Sequence, residues 1–164
     1  MRPDVSLLIA DDDGGHVQLI MKNLRRSGIT NTIIQFKDGQ EVLDFLFDHS
    51  LRTPPHKDPA SYLLLLDIRM PKVDGVEVLR RLKQDREFKK IPIIMLSTTD
   101  DPRDIEQCYY WGCSSYIIKP IKYDHFVEAI QELALFLKVI EVPYIDINVT
   151  SPHKTIVTEN EPDV

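Results

Sequence analysis

The sequence predicts an α/β fold: a doubly wound, five-stranded parallel sheet with helices on both faces. Apolar runs of strand length alternate five times with stretches of helical period, the pattern of parallel strands joined by crossover helices. The run before Asp67, Tyr62-Leu63-Leu64-Leu65-Leu66, is apolar at every position, as in a central strand buried on both faces. Acids follow the first and third runs, a hydroxyl pair the fourth and a lysine the fifth. In open parallel sheets the ligand crevice lies at the carboxyl ends of the strands, so these polar groups are expected to converge.

The first strand is read at residues 5–10. Asp13 then caps a helix whose apolar positions Val17, Ile20, Met21 and Leu24 keep a helical period until Gly28 stops it. Residues 32–36 form the second strand. Asp38 and Glu41 have the spacing of a capping box and open a helix through Phe47. A long loop follows at 48–60, with Pro54, Pro55 and Pro59. The third strand is 61–67, and a second capping-box spacing, Asp74 to Glu77, starts a helix to about Lys83. The fourth strand is 91–96. Asp101-Pro102 begins a helix that Gly112 closes, because proline suits the first turn and glycine the end. The fifth strand is 115–118 and the last helix 124–139. The domain is therefore expected at 5–140, followed by a C-terminal arm and mobile tail at 141–164.

Composition narrows the function classes. The 164 residues suit one domain, with 43% apolar and 28% charged residues as in an ordinary globule. Twenty basic against 26 acidic residues leave a net charge of -6, which argues against nucleic-acid binding. Cys108 and Cys113 lack the spacing of a zinc site and read as free thiols. No signal pattern or membrane-length apolar stretch is present, so a cytoplasmic protein is expected. The five histidines, His16, His49, His56, His125 and His153, show no ligand spacing and receive no catalytic role.

The acids define the chemistry. Two carboxylates about 4 Å apart at an effective dielectric near 20 repel by roughly 4 kcal/mol. If Asp11, Asp12 and Asp67 meet, they need protons or a cation, and hard oxygen ligands in a partly solvated cleft suit Mg²⁺. Lys119 adds a positive charge across the crevice. With charge neutralised, Asp67 can attack phosphorus, and Ser97 can donate to a phosphoryl oxygen once it arrives. Taken singly, an Asp at a strand end is ordinarily a cap, and a Lys-Pro pair a turn. Four such features at successive strand ends point instead to a magnesium-dependent aspartyl-phosphorylation site.

Across about residues 5–139 the sequence resembles a receiver domain of two-component response regulators, through the motifs LLIADDDG, LLLLDIRMPKVDG, IPIIMLSTTD and SYIIKPI. The resemblance implies a flavodoxin-like sheet of strand order 2-1-3-4-5 and phosphorylation of Asp67 by a sensor histidine kinase. It implies Asp12 as principal Mg²⁺ ligand, Asp11 acting through water, Asp67 as a further ligand and Arg69 lending its backbone carbonyl. Lys119 takes the place of the phosphate-pairing lysine, Ser97 that of the switching hydroxyl and Tyr116 that of the switch aromatic. The protein would then catalyse only its own phosphorylation and dephosphorylation.

About 25 residues follow the last helix, too few for an output domain, so the expected output is partner binding, self-association or onward phosphotransfer. In the last helix Phe126, Ile130, Leu133 and Leu137 make the core stripe. Leu135 and Val139 fall opposite it, with Phe136 at the border. With Tyr109-Tyr110-Trp111 and Tyr116 these residues are expected to form an apolar face on the last two helices and last strand, the family's usual dimer or partner surface. The Pro-rich loop and the apolar arm resemble response regulators paired with phytochromes. A homodimer is expected in which residues 142–149 pack against the partner.

Two rival readings are an aspartyl-nucleophile phosphohydrolase and a receiver-like scaffold that is never phosphorylated. The first ordinarily has a second acid where Arg69 stands, and the second would not need the full acceptor set. A flavodoxin-like cofactor binder is disfavoured because the acidic triplet repels phosphate. Thr98 and Arg69 are bulkier than the family's usual residues beside the acyl phosphate and are expected to hinder the hydrolytic water. Thr98→Ala should therefore shorten the phosphorylated lifetime, measured as the decay of phosphoprotein after the phosphodonor is removed; an unchanged decay rate rejects that role for Thr98.

Overall fold

The computed structural model describes residues 1–48 and 60–147. Its strands β1 (Ser6–Ala10), β2 (Ile33–Phe36), β3 (Tyr62–Leu66), β4 (Ile93–Ser97) and β5 (Ser115–Ile118) form one sheet. Their order is β2-β1-β3-β4-β5 and every pairing is parallel. The connecting helices are α1 (Gly14–Arg26), α2 (Gly39–Phe47), α3 (Gly75–Gln84), α4 (Pro102–Trp111) and α5 (Tyr123–Val139). This is the doubly wound architecture expected from the alternation of runs, with the flavodoxin-like strand order that the resemblance implied.

Side-chain alternation along the strands divides the core in two. Leu7, Ile9, Leu63, Leu65, Ile94 and Leu96 meet Val17, Ile20 and Leu24 of α1 and Phe126, Ile130, Leu133 and Leu137 of α5. Leu8, Ala10, Leu64, Leu66, Ile93 and Met95 meet α2, α3 and α4 on the other face. Because β3 is covered on both sides, all five of its positions are buried, which explains the unbroken run of four leucines after Tyr62.

Four aspartates cap the first four helices. The carboxylates of Asp13, Asp38, Asp74 and Asp101 accept backbone N–H groups of the first helical turn, satisfying donors that have no partner within the helix. Gly112 ends α4 at φ 93°, in the left-handed region open to glycine. The last helix differs: α5 starts at Tyr123, with Lys122 at the cap and no side-chain cap bond, so Asp124 lies inside the first turn. The fourth strand begins at Ile93 rather than 91. Pro92 has no N–H to give to a ladder, and a short 3-10 helix, Phe88–Lys90, occupies the approach.

Gly75 fixes how the β3–α3 loop returns to the strand end. A Cβ there would lie 2.0 Å from the backbone oxygen of Asp67, while the Gly75 N–H donates to the carbonyl of Ile68 at 2.8 Å. The loop therefore folds tightly beneath Asp67, and only a residue without a side chain permits it.

The arm after α5 departs from expectation. Val142, Ile145 and Ile147 are buried in their own chain's core, not held out for a partner. Ile145 forms an antiparallel bridge with Ala60, just before β3, through bonds of 2.8 and 3.1 Å. Ser61 Oγ donates to the carbonyl of Pro143 at 3.0 Å, Arg2 to that of Val142 at 2.8 Å, and the N–H of Asp146 to Glu87 at 2.9 Å. Val142 joins the α1/α5 side of the core, and Ile145 and Ile147 join the other. The arm thus passes under the amino end of β3, away from the polar strand ends, because its alternating apolar residues find an open core edge there. Asn148, Val149 and the rest of the tail lie outside the described residues, as does the proline-rich segment 49–59.

Ile145→Ala should lower the unfolding free energy of the single chain by about 2–4 kcal/mol, the cost of emptying a buried isoleucine site. Urea denaturation at a protein concentration that excludes association measures this; an unchanged midpoint would mean that the arm is not part of the monomer core.

Candidate functional site

The polar groups at the strand ends meet above the sheet. Asp11 follows β1, Asp67 follows β3, Ser97 ends β4 and Lys119 follows β5. Oxygen atoms of Asp11, Asp12 and Asp67 all lie within 4.8 Å of one another. Asp11 and Asp67 are buried, while Asp12 is exposed. The adjacency of β1 and β3 sets this meeting: Ala10 pairs with Leu66, and Asp67 donates its N–H to the carbonyl of Ala10 at 2.9 Å.

Lys119 is 3% exposed, so its ammonium must be matched inside the protein. Its Nζ lies 2.6 Å from Oδ2 of Asp11 and 3.4 Å from Oδ2 of Asp67. The other Asp11 oxygen accepts the N–H of Asp13 at 3.0 Å, which fixes the turn into α1. Oδ1 of Asp67 accepts the N–H of Ile68 at 2.8 Å.

Ser97 is completely buried beside Asp67. The next residues lead to α4: Thr98 is exposed, and Thr99 Oγ1 donates to Asp104 at 3.1 Å. Arg69 reaches over from the β3–α3 loop to the same Asp104 carboxylate at 3.4 Å. Tyr116, on β5, donates its hydroxyl to the carbonyl of Thr99 at 2.9 Å, and burial pushes its phenol up to about 12. The β4–α4 loop is therefore tied both to α4 and to β5.

Burial raises the carboxyl of Asp67 above the ordinary carboxylate value. Lys119 opposes that rise, the Asp11 charge adds to it, and hydrogen bonds from Ser97 and Ile68 oppose it. Three carboxylates with one ammonium leave an excess of negative charge in a partly covered cleft. An all-oxygen donor set of this kind fits a hard divalent cation, with Asp12 on the open side.

Asp11, Asp12, Asp67, Ser97 and Lys119 fall at this crevice. Asp13 does not turn into it: its Oδ1 accepts the N–H groups of Gly15 and His16 at 2.9 and 3.2 Å, as a helix cap. Two further features carry no sign in the linear pattern. Lys72 adopts φ 65° in the loop after Asp67 and pairs with Asp38 at 2.9 Å, although a lysine gives no hint of left-handed backbone. His16, in the first turn of α1, places Nδ1 3.3 Å from Lys119 Nζ, a proximity that depends on how α1 leaves the sheet.

Residues 7–131 match the family described as response regulator receiver domain. The polar-differentiation response regulator DivK of Brucella ovis is 33% identical over 126 residues, covering 77% of this chain and 93% of that protein. The crystal structure of a response regulator receiver domain from Rhodospirillum rubrum superposes with a TM-score of 0.79 at 38% identity, covering 86% of this chain and 99% of that one. The phosphorylated cyanobacterial phytochrome response regulator RcpA gives 0.73 at 27% identity, covering 84% and 97%.

Because the folded chain holds the Asp67 proton more tightly than the unfolded chain does, this group's contribution to stability falls as pH rises from the ordinary carboxylate value through the raised native one. Asp67→Asn should therefore raise the melting temperature in chelator at pH 7, with the gain shrinking towards pH 4. Mg²⁺ should raise the melting temperature of the parent protein more than that of the variant. Thermal unfolding followed by circular dichroism measures all three; an Asp67→Asn protein that melts no higher than its parent in chelator contradicts the cost of burying the Asp67 charge.

Proposed function

The chain belongs to the response regulator receiver family, and from that membership we propose that it accepts a phosphoryl group from a sensor histidine kinase onto Asp67. The observation that carries the reading is the buried Lys119 ammonium between Asp11 and Asp67, with Ser97 beside them. A carboxylate nucleophile needs an open path to phosphorus and positive charge to hold the incoming oxygens. An oxygen of Asp67 attacks phosphorus, the donor's P–N bond breaks, and its electron pair returns to the donor imidazole. Lys119 pairs with one phosphoryl oxygen and Ser97 donates to another.

Mg²⁺ is the proposed cofactor, with Asp12 and Asp67 as direct ligands, Asp11 acting through water and Arg69 lending its backbone carbonyl. When bound, the ion supplies charge neutralisation between these carboxylates and the phosphoryl oxygens. Asp11 keeps Lys119 in register through its 2.6 Å contact, and Ile68 orients Asp67 from the backbone.

The proposed switch follows from the loop contacts. Once Ser97 is drawn to the phosphoryl group, the β4–α4 loop moves with it, and the Thr99 carbonyl carries that motion to Tyr116. The affected surface is the α4–β5–α5 face. It bears exposed Tyr109, Tyr110, Leu135, Phe136 and Val139, which supports its use for partner binding or homodimerisation. Similarity to a phytochrome response regulator supports a kinase partner of the phytochrome type.

Incubation with acetyl phosphate and Mg²⁺ should produce one hydroxylamine-labile phosphoryl mass increment. Asp67→Asn should abolish it, and no phosphoester should be turned over repeatedly. A stable protein without the increment points to the scaffold reading, and multiple turnover points to the phosphohydrolase.

A further inference from the structure

We propose that His16 is a positioning residue for Lys119, taking one of its three N–H bonds so that another is aimed at Asp67; the proposal rests on the phosphoacceptor reading above. An ammonium has three donors. Around Nζ of Lys119 stand three acceptors: Oδ2 of Asp11 at 2.6 Å, Nδ1 of His16 at 3.3 Å and Oδ2 of Asp67 at 3.4 Å. Nδ1 also lies 3.7 Å from Asp11 Oδ2, farther than from the ammonium, and in the proposed arrangement Nδ1 carries the lone pair and the ring proton is on Nε2. That nitrogen faces Asp13 Oδ2 at 3.6 Å, a carboxylate on the side where the proton is needed.

The ring is held from two further directions. Its edge rests on Phe126 of α5, with centroids 5.6 Å apart and planes at 79°. The backbone of His16 is held by the Asp13 cap. His16 therefore stands between the turn that carries the acids, the helix that packs on it and the lysine.

The choice of a neutral acceptor has a physical reason. A lysine ammonium on a four-carbon stem can rotate and slide between two carboxylates. With only Asp11 and Asp67 as acceptors, nothing distinguishes the approach to a phosphoryl oxygen from a bridge between the acids. A third carboxylate would fix the orientation but add negative charge where a phosphoryl group must arrive. An imidazole lone pair fixes it without that charge. The interaction acts on the transferring phosphoryl group, whose charge is greatest in demand for Lys119 during transfer, so its loss should lower the maximal rate more than the affinity for the donor.

The alternative is that His16 only packs α1 against α5. Two substitutions separate the cases. His16→Phe keeps an aromatic edge against Phe126 and removes the acceptor, whereas His16→Asn loses the ring and keeps an oxygen near the position of Nδ1. Initial rates of Asp67 phosphorylation by acetyl phosphate should fall about tenfold in maximal rate for His16→Phe, the loss expected for one hydrogen bond to a charged group. The half-saturating donor concentration should stay within about twofold, and His16→Asn should stay within about threefold of the parent's maximal rate. Melting temperatures verify that both variants fold.

A second measurement needs no phosphodonor: the Lys119 ammonium resonance in ¹⁵N NMR should shift in His16→Phe and return towards the parent position in His16→Asn. An unchanged rate in His16→Phe, an equal loss in both variants, or an effect on donor affinity alone overturns the positioning role. If the parent protein takes no phosphoryl group at all, the phosphoacceptor reading fails, and the resonance still decides whether His16 orients the lysine.

Discussion

A buried ammonium cannot remain in a protein interior without anions to meet it, and the meeting of Lys119 with Asp11 and Asp67 is the constraint around which this chain is arranged. The three residues come from the ends of β5, β1 and β3, so they meet only if the sheet has its observed order and register. Lys119 also donates its backbone N–H to the carbonyl of Ser97 at 2.7 Å, which continues the β4–β5 ladder to the edge of the crevice. From there the long side chain reaches past β4 to the acids. The leucine-rich strands supply the stability that sets an excess of negative charge in place.

Around that charge cluster two sets of contacts lead outward in different directions. Asp13, His16 and Phe126 connect the acids to the packing of α1 on α5. Ser97, Thr99, Asp104 and Tyr116 connect the β4–α4 loop to α4 and β5. The first set is built on a helix cap and a ring edge, which hold a fixed geometry. The second runs through the β4–α4 loop, where Thr98 is exposed, and exposed Arg69 of the β3–α3 loop reaches the same Asp104; this is the side on which the proposed switch would act. The arm lies beneath the opposite end of the sheet, against Ala60 and Ser61, where it completes the core without obstructing the crevice.

Much of this was legible in the linear chain, for reasons that particular residues make plain. A strand covered on both faces must be apolar throughout, so Tyr62 to Leu66 announced itself as the centre of the sheet. Helices need their first N–H groups satisfied, so Asp13, Asp38, Asp74 and Asp101 marked four starts correctly, and Tyr123 escaped because its helix begins without such a cap. Asp11, Asp67, Ser97 and Lys119 could be grouped because parallel strands present their carboxyl ends on one side. These are local or periodic properties, and they survive in one dimension.

The tertiary structure decided what depends on distances between distant residues. Whether the apolar residues of the arm faced a partner or their own core could not be read from their alternation, since an open core edge beside Ala60 exists only after β3 and α5 are in place. The left-handed backbone of Lys72 arises from the tight return of its loop, not from any preference of lysine. His16 has no ligand spacing, yet the exit of α1 from the sheet brings its Nδ1 to a lysine 103 residues away. Sequence by itself determined which residues are apolar, which cap and which carry charge, because those are properties of single side chains and their period. Only the folded chain decided which carboxylates share an ammonium, because that depends on separations of a few ångströms that the sheet alone creates.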